Sequence, residues 1–163
     1  MRRDMNCFVP LDPEWTPICS IKGTPKPDYQ KYRKIQILVD SGAAENVLPP
    51  DLLPDYAVEE GEARKNGVRY MTADGNEIPN LGELNMPFRI FEGHKCGIKF
   101  QLADVKRPQL SVTNLIAKGN RVSFHEQGGT ITSQDGKQTI KFKQMNGVYV
   151  FEVYVPPFQG PGA

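Results

Sequence analysis

Punctuation is the feature that most limits the fold. Fourteen prolines and fifteen glycines are spread through 163 residues, so little of the chain escapes a helix breaker for the length of an ordinary helix. Between the breaks, the clearest segments alternate apolar and polar residues, the period of a half-buried strand. The pattern predicts an all-β domain. A first strand is expected over Trp15–Gly23, followed by a loop from Thr24 to Tyr32 containing Pro25 and Pro27. Further strands are expected over Ile35–Val39, Gly82–Ile90, Ile98–Ala103, Arg121–His125, Thr139–Lys143 and Val148–Val155. Gly67–Ile78 has the form of a hairpin whose tight tip is Ala73-Asp74-Gly75-Asn76. Pro49–Pro54 reads as a turn into a very short helix. The best helix candidate is Thr113–Gly119, with Thr113 as cap, Lys118 in the last turn and Gly119 as terminator. One domain over residues 15–155 is expected, with an extension at 1–14 and an extended or disordered tail at 156–163.

Composition excludes more than it selects. A formal net charge of +1 gives no bulk attraction to nucleic acid or to a membrane surface. No apolar run approaches the roughly 18 residues of a membrane span, and no apolar stretch follows Met1-Arg2-Arg3 to make a secretory signal. Cys7, Cys19 and Cys96 are an odd, scattered set without a Cys-x-x-Cys spacing, which argues against a disulfide framework and against zinc. A reducing, cytoplasmic setting is the expectation. His94 and His125 are isolated and read as surface or strand residues, Lys31–Lys34 as a solvated strand entry, and Glu59–Glu62 as a solvated acidic loop.

The chemistry concentrates at Asp40-Ser41-Gly42-Ala43, which ends the apolar run Ile35–Val39 and is followed at once by Ala44-Glu45-Asn46-Val47-Leu48-Pro49. Asp and Gly together usually mark a turn, but here the pair closes a strand that holds the aspartate rigidly. Peptide hydrolysis by a carboxylate dyad needs two acids about 3 Å apart sharing one proton, because like charges that close cannot both ionise. The ionised member takes a proton from water while the protonated member polarises the carbonyl. A small hydroxyl residue after the aspartate and a glycine that lets two backbones approach suit such a site. The motif occurs once: Asp135-Gly136 lacks an apolar strand before it and reads as a turn. One copy supplies half a dyad, so the active unit has to be a homodimer.

On these residues the chain resembles the retropepsin-like aspartic proteases of retroviruses and LTR retrotransposons. The likeness covers roughly residues 15–155. Ile21-Lys22-Gly23, then Val39–Ala43 and Asn46–Leu48, follow the family's order, and Thr72–Ile78 with Gly82 beyond it looks like the family's flap. The stretch from Asp104-Val105 through Leu110–Leu115, then Gly119, Val122-Ser123-Phe124 and the closing Asn146–Val150, is closest to copia-like polyproteins. The resemblance implies a closed, β-barrel-like acid protease fold with one short helix in its C-terminal half, and an obligate symmetric dimer. It also implies Asp40 as the dyad aspartate, Ser41, Gly42 and Ala43 as the active-site loop, and Ala73, Asp74, Gly75 and Asn76 covering the substrate. The implied substrate is a Gag-Pol-type polyprotein, cut without metal or organic cofactor in the cytoplasm or within virus-like particles. The alternative is a domesticated module that keeps dimerisation or peptide binding without catalysis. One departure stands out: where family members carry apolar-apolar-Gly before the last helix, this chain has Leu110-Ser111-Val112, with Ser111 in the glycine's place.

The last strand, Val148–Val155, is apolar on nearly both faces. Tyr149, Phe151, Val153 and Val155 are expected to meet the core. Val148, Val150 and Tyr154 would then be exposed in a monomer, covered either by a second subunit or by the domain's own loops.

Overall fold

Strand β1 (Arg33–Asp40) sets the frame of the fold. Ile35, Ile37 and Val39 are 4%, 0% and 6% exposed, while Gln36, Leu38 and Asp40 on the opposite parity are only partly covered. The computed structural model describes residues 29–158. The expected first strand at Trp15–Gly23, the extension at 1–14 and residues 159–163 lie outside the described residues.

The chain continues through β2 (Val47–Leu48), α1 (Glu62–Lys65), β3 (Arg69–Met71), β4 (Glu77–Pro79), β5 (Gly82–Arg89) and β6 (Lys95–Leu102). It ends with β7 (Gln109–Ser111), α2 (Val112–Ala117), β8 (Arg121–His125), β9 (Gly128–Thr132), β10 (Thr139–Met145) and β11 (Val148–Val155). The architecture is mostly β, as the punctuation predicts. Nine strands form one sheet in the order β1-β7-β2-β6-β5-β11-β10-β9-β8, and β1 also pairs with β11, so the first six close a ring of pairings. β3 and β4 form a separate two-stranded sheet. Inside lies one hydrophobic cluster in which Phe88, Phe100, Phe151, Ile37, Leu48, Met86 and Ile98 are almost wholly buried. Each such side chain contributes about 1.5–3 kcal/mol relative to exposure, and Phe88 meets Phe151 edge to face at 5.8 Å. Among the described residues no helix is long and apolar enough to cross a membrane.

Several local expectations are corrected. Pro49–Pro54 forms turns and no helix: Leu52 N–H donates to the Pro49 carbonyl at 3.3 Å, and Pro54 has no amide to carry a helix on. The helix after β7 starts at Val112, not Thr113, and its cap is Ser111, whose hydroxyl accepts the Asn114 N–H at 3.0 Å. Ser111 is still extended, so the strand passes straight into the helix. A second short helix, α1, rises from the end of the acidic stretch at Glu62, and a 3-10 turn occupies Tyr29–Lys31 within the expected loop. β9 was not expected at all.

β9 is concealed by its own sequence. Gly128-Gly129 has low strand propensity, but its glycines are needed by the packing. A Cβ on Gly128 would stand 2.1 Å from the Phe142 carbonyl, and one on Gly129 2.1 Å from the Ser123 carbonyl.

The last strand is covered by the chain itself. Val150, expected at the surface, is 2% exposed, opposite Leu38 of β1 and Lys143 of β10. Tyr154 stacks on Tyr29 at 4.2 Å, and the Tyr29 hydroxyl donates to the Ile90 carbonyl at 2.7 Å. Tyr149 is only partly buried, its hydroxyl donating to the His125 carbonyl at 2.9 Å. Val148 is exposed as expected. The start of the tail is also tied down: the Tyr56 hydroxyl donates to the Pro156 carbonyl, and the rings of Tyr56 and Phe158 lie 5.1 Å apart.

Candidate active site

β1 runs parallel to β7 at its C-terminal end, with Leu38, Val39 and Asp40 opposite Gln109, Leu110 and Ser111. The chain turns immediately after Asp40. Its carboxylate Oδ1 accepts the Gly42 N–H at 2.7 Å, and the Ala43 N–H points back to the Asp40 carbonyl at 3.4 Å. A side chain at position 42 would put its Cβ 3.3 Å from that same Oδ1, so the glycine allows the carboxylate to lie against the backbone. Asp40 is half-buried, Ser41, Gly42 and Ala44 are exposed, and Ala43 is buried. The structure therefore gathers the four sequence-predicted loop residues in one turn, open on the side of Ser41 and Gly42.

Two buried polar residues that sequence reasoning left without a role hold this turn. Asn46, 2% exposed, accepts the Ser111 N–H on Oδ1 at 2.8 Å, and its carbonyl accepts the Gln101 N–H at 2.8 Å. Ser111, fully buried, donates its hydroxyl to the Ala43 carbonyl at 2.7 Å. Faint signals existed for both: an asparagine directly before an apolar pair, and a serine placed where a helix cap belongs. Glu45, between them, is half-buried and its Oε1 accepts from Asn114 Nδ2 at 3.4 Å. Burial raises its carboxyl above the usual value, and Lys118 opposes that rise.

The β3–β4 hairpin carries Ala73, Asp74, Gly75 and Asn76 together at its exposed tip. Thr72 N–H donates to the Asn76 carbonyl at 2.8 Å, and Gly75 N–H to the Thr72 carbonyl at 3.0 Å. The Asp74 carboxylate accepts from the Thr72 hydroxyl, from Asn76 N–H at 3.2 Å and from Asn76 Nδ2 at 3.1 Å. The Thr72 hydrogen bond is the chief reason its carboxyl is held below the ordinary value. Ser133, Asp135 and Lys137 build the same device in the β9–β10 turn, which confirms Asp135-Gly136 as a turn. Asp74 is thus occupied in shaping its own turn.

The hairpin is fastened to the sheet at its base. Asn80, 5% exposed, donates from Nδ2 to the Tyr70 hydroxyl at 2.9 Å and to Gln101 Oε1 at 2.8 Å, and accepts the Gly82 N–H at 2.8 Å. Burial raises the Tyr70 phenol, with a smaller push from the nearby charge of Glu45. A cavity of about 700 Å³ lies elsewhere, bordered by Phe91, His94, Phe142, Phe151 and Tyr154. Cys96 is wholly buried and its thiol is pushed up to about 12, far from a reactive thiolate.

No protein-family model, no curated protein and no solved structure matches this chain.

Proposed function

We propose that the chain is one half of a homodimeric aspartic endopeptidase, with a closed, barrel-like acid protease fold and Asp40 as its contribution to the dyad. One observation carries the reading. A strand with a fully apolar inner face, in a sheet whose pairings form a ring, delivers an aspartate whose carboxylate is pinned on the amide of the exposed Gly42. The exposure of Ser41 and Gly42 supports it, because a second copy would approach there.

In the dimer, the two Asp40 carboxylates share one proton. The ionised one removes a proton from the attacking water, and the protonated one donates a hydrogen bond to the scissile carbonyl. The hairpin tips close over an extended peptide and pair with it through backbone groups, as an added strand does. The proposed substrate is a polypeptide of the retrotransposon Gag-Pol type.

The test is a peptide-library digest from about pH 4 to about pH 7, starting near the upper pKa of known carboxylate dyads, run beside sedimentation of the same sample. Wild type should cleave as a dimer, and Asp40→Asn should lose cleavage while keeping the dimer. Equal turnover by Asp40→Asn removes Asp40 from the mechanism. A folded dimer that cuts nothing favours a non-catalytic binding module instead.

A further inference from the structure

We infer that Ser111 is a positioning residue for Asp40, fixing through its hydroxyl the turn that carries the carboxylate. The inference rests on the protease reading above and deepens it.

Ser111 meets the Asp40 turn at three points. It is the strand partner of Asp40 itself, its hydroxyl donates to the Ala43 carbonyl at 2.7 Å, and its N–H donates to Asn46 Oδ1 at 2.8 Å. The start, middle and end of the turn are therefore referred to a single residue. The direction of the hydroxyl is also set. Its oxygen accepts the Asn114 N–H at 3.0 Å, so its one proton is left for Ala43. Helix α2 thus acts as a fixed mount, and Ser111 transmits that position to the turn.

A glycine at 111 would leave both the Ala43 carbonyl and the Asn114 N–H without this partner, at a point where Ser111 has no exposure to water. Serine does more here than tolerate the place of a glycine, because its side chain adds a bond that a backbone alone cannot make. A carboxylate dyad has to be held within about 0.5 Å of its working geometry. A misplacement of about 1 Å costs on the order of a hundredfold in rate. Loss of the Ala43 bond should therefore appear in the chemical step, not in substrate binding.

The experiment measures kcat, KM and the pH profile for wild type, Asp40→Asn, Ser111→Ala, Ser111→Cys and Ser111→Thr, each confirmed as a folded dimer by sedimentation. Ser111→Ala should lower kcat by roughly 10- to 100-fold, the range set by small misplacements, with KM little changed and the pH profile shifted. Ser111→Cys keeps the side chain's shape with only weak hydrogen bonding, so it should fall in the same direction even where the alanine variant folds poorly. Ser111→Thr retains the hydroxyl and should keep most of the activity. Wild-type kcat and pH profile in folded Ser111→Ala or Ser111→Cys would reduce Ser111 to a helix cap and overturn the inference alone. Failure of wild type to show any Asp40-dependent cleavage would overturn the protease reading, and this role with it.

Discussion

Asn80→Ala tests whether the hairpin is fastened to the sheet through buried polar bonds. The substitution removes the bonds to the Tyr70 hydroxyl, Gln101 Oε1 and Gly82 N–H. Tyr70 is partly exposed and its hydroxyl can turn to water. Gly82 N–H and Gln101 Oε1 are buried, so each is left unpaired. A stranded buried group costs about 1–3 kcal/mol, and water entering the vacated space recovers part of that. The expected loss is therefore about 2–4 kcal/mol, a large share of the roughly 5–15 kcal/mol that holds a domain folded. Urea unfolding at neutral pH reads it directly: at a slope near 2 kcal/mol per molar, the midpoint should drop by about 1–2 M. Amide exchange supplies the local readout. Residues 69–79 should exchange faster than the rest of the sheet, because Asn80 joins their base to Gln101 of β6. A loss under about 0.5 kcal/mol, or an unchanged exchange pattern in β3 and β4, would refute the reasoning.

Two further substitutions probe packing and titration. Gly129→Ala would force a methyl to within 2.1 Å of the Ser123 carbonyl and 2.3 Å of the Phe142 ring. Parting β9 from its neighbours β8 and β10 should cost about 3 kcal/mol or more, and a thermal midpoint equal to wild type would contradict the strand pairing. Burial raises the Tyr56 phenol from its ordinary 10.0 to about 12, so the folded state favours the neutral form. That contribution is intact below about 10 and is lost as pH rises toward about 12. Tyr56→Phe should lose stability less steeply than wild type across that window, and parallel alkaline denaturation profiles would count against the assignment.

What could be read in advance was local. Ile35–Val39 announced a strand by its apolar content, and Asp74-Gly75 announced a hairpin tip by turn chemistry contained within five residues, Thr72 to Asn76. Asp40 stood out because a strand ending in Asp-Ser-Gly-Ala is unusual within the sequence itself. β9 was missed because Gly128-Gly129 looks like a break until the Phe142 carbonyl and ring are seen against it. The helix cap was misplaced by two residues because Thr113 and Ser111 are both capping types. Only the strand arriving at Ser111 decides between them.

The amino-acid order alone determined a β-rich chain, the extents of β8 and β11 and an aspartate presented at the end of another strand, since period, propensity and turn chemistry act over a few neighbouring residues. Only the tertiary structure decided that Ser111 and Asn46 hold the Asp40 turn, across separations of 68 and 65 residues. It alone decided that Val150 is buried by its own chain and that Asn80 moors the hairpin to β6. A buried polar group takes whichever partner the fold brings within about 3 Å, and no local pattern in the sequence specifies that partner.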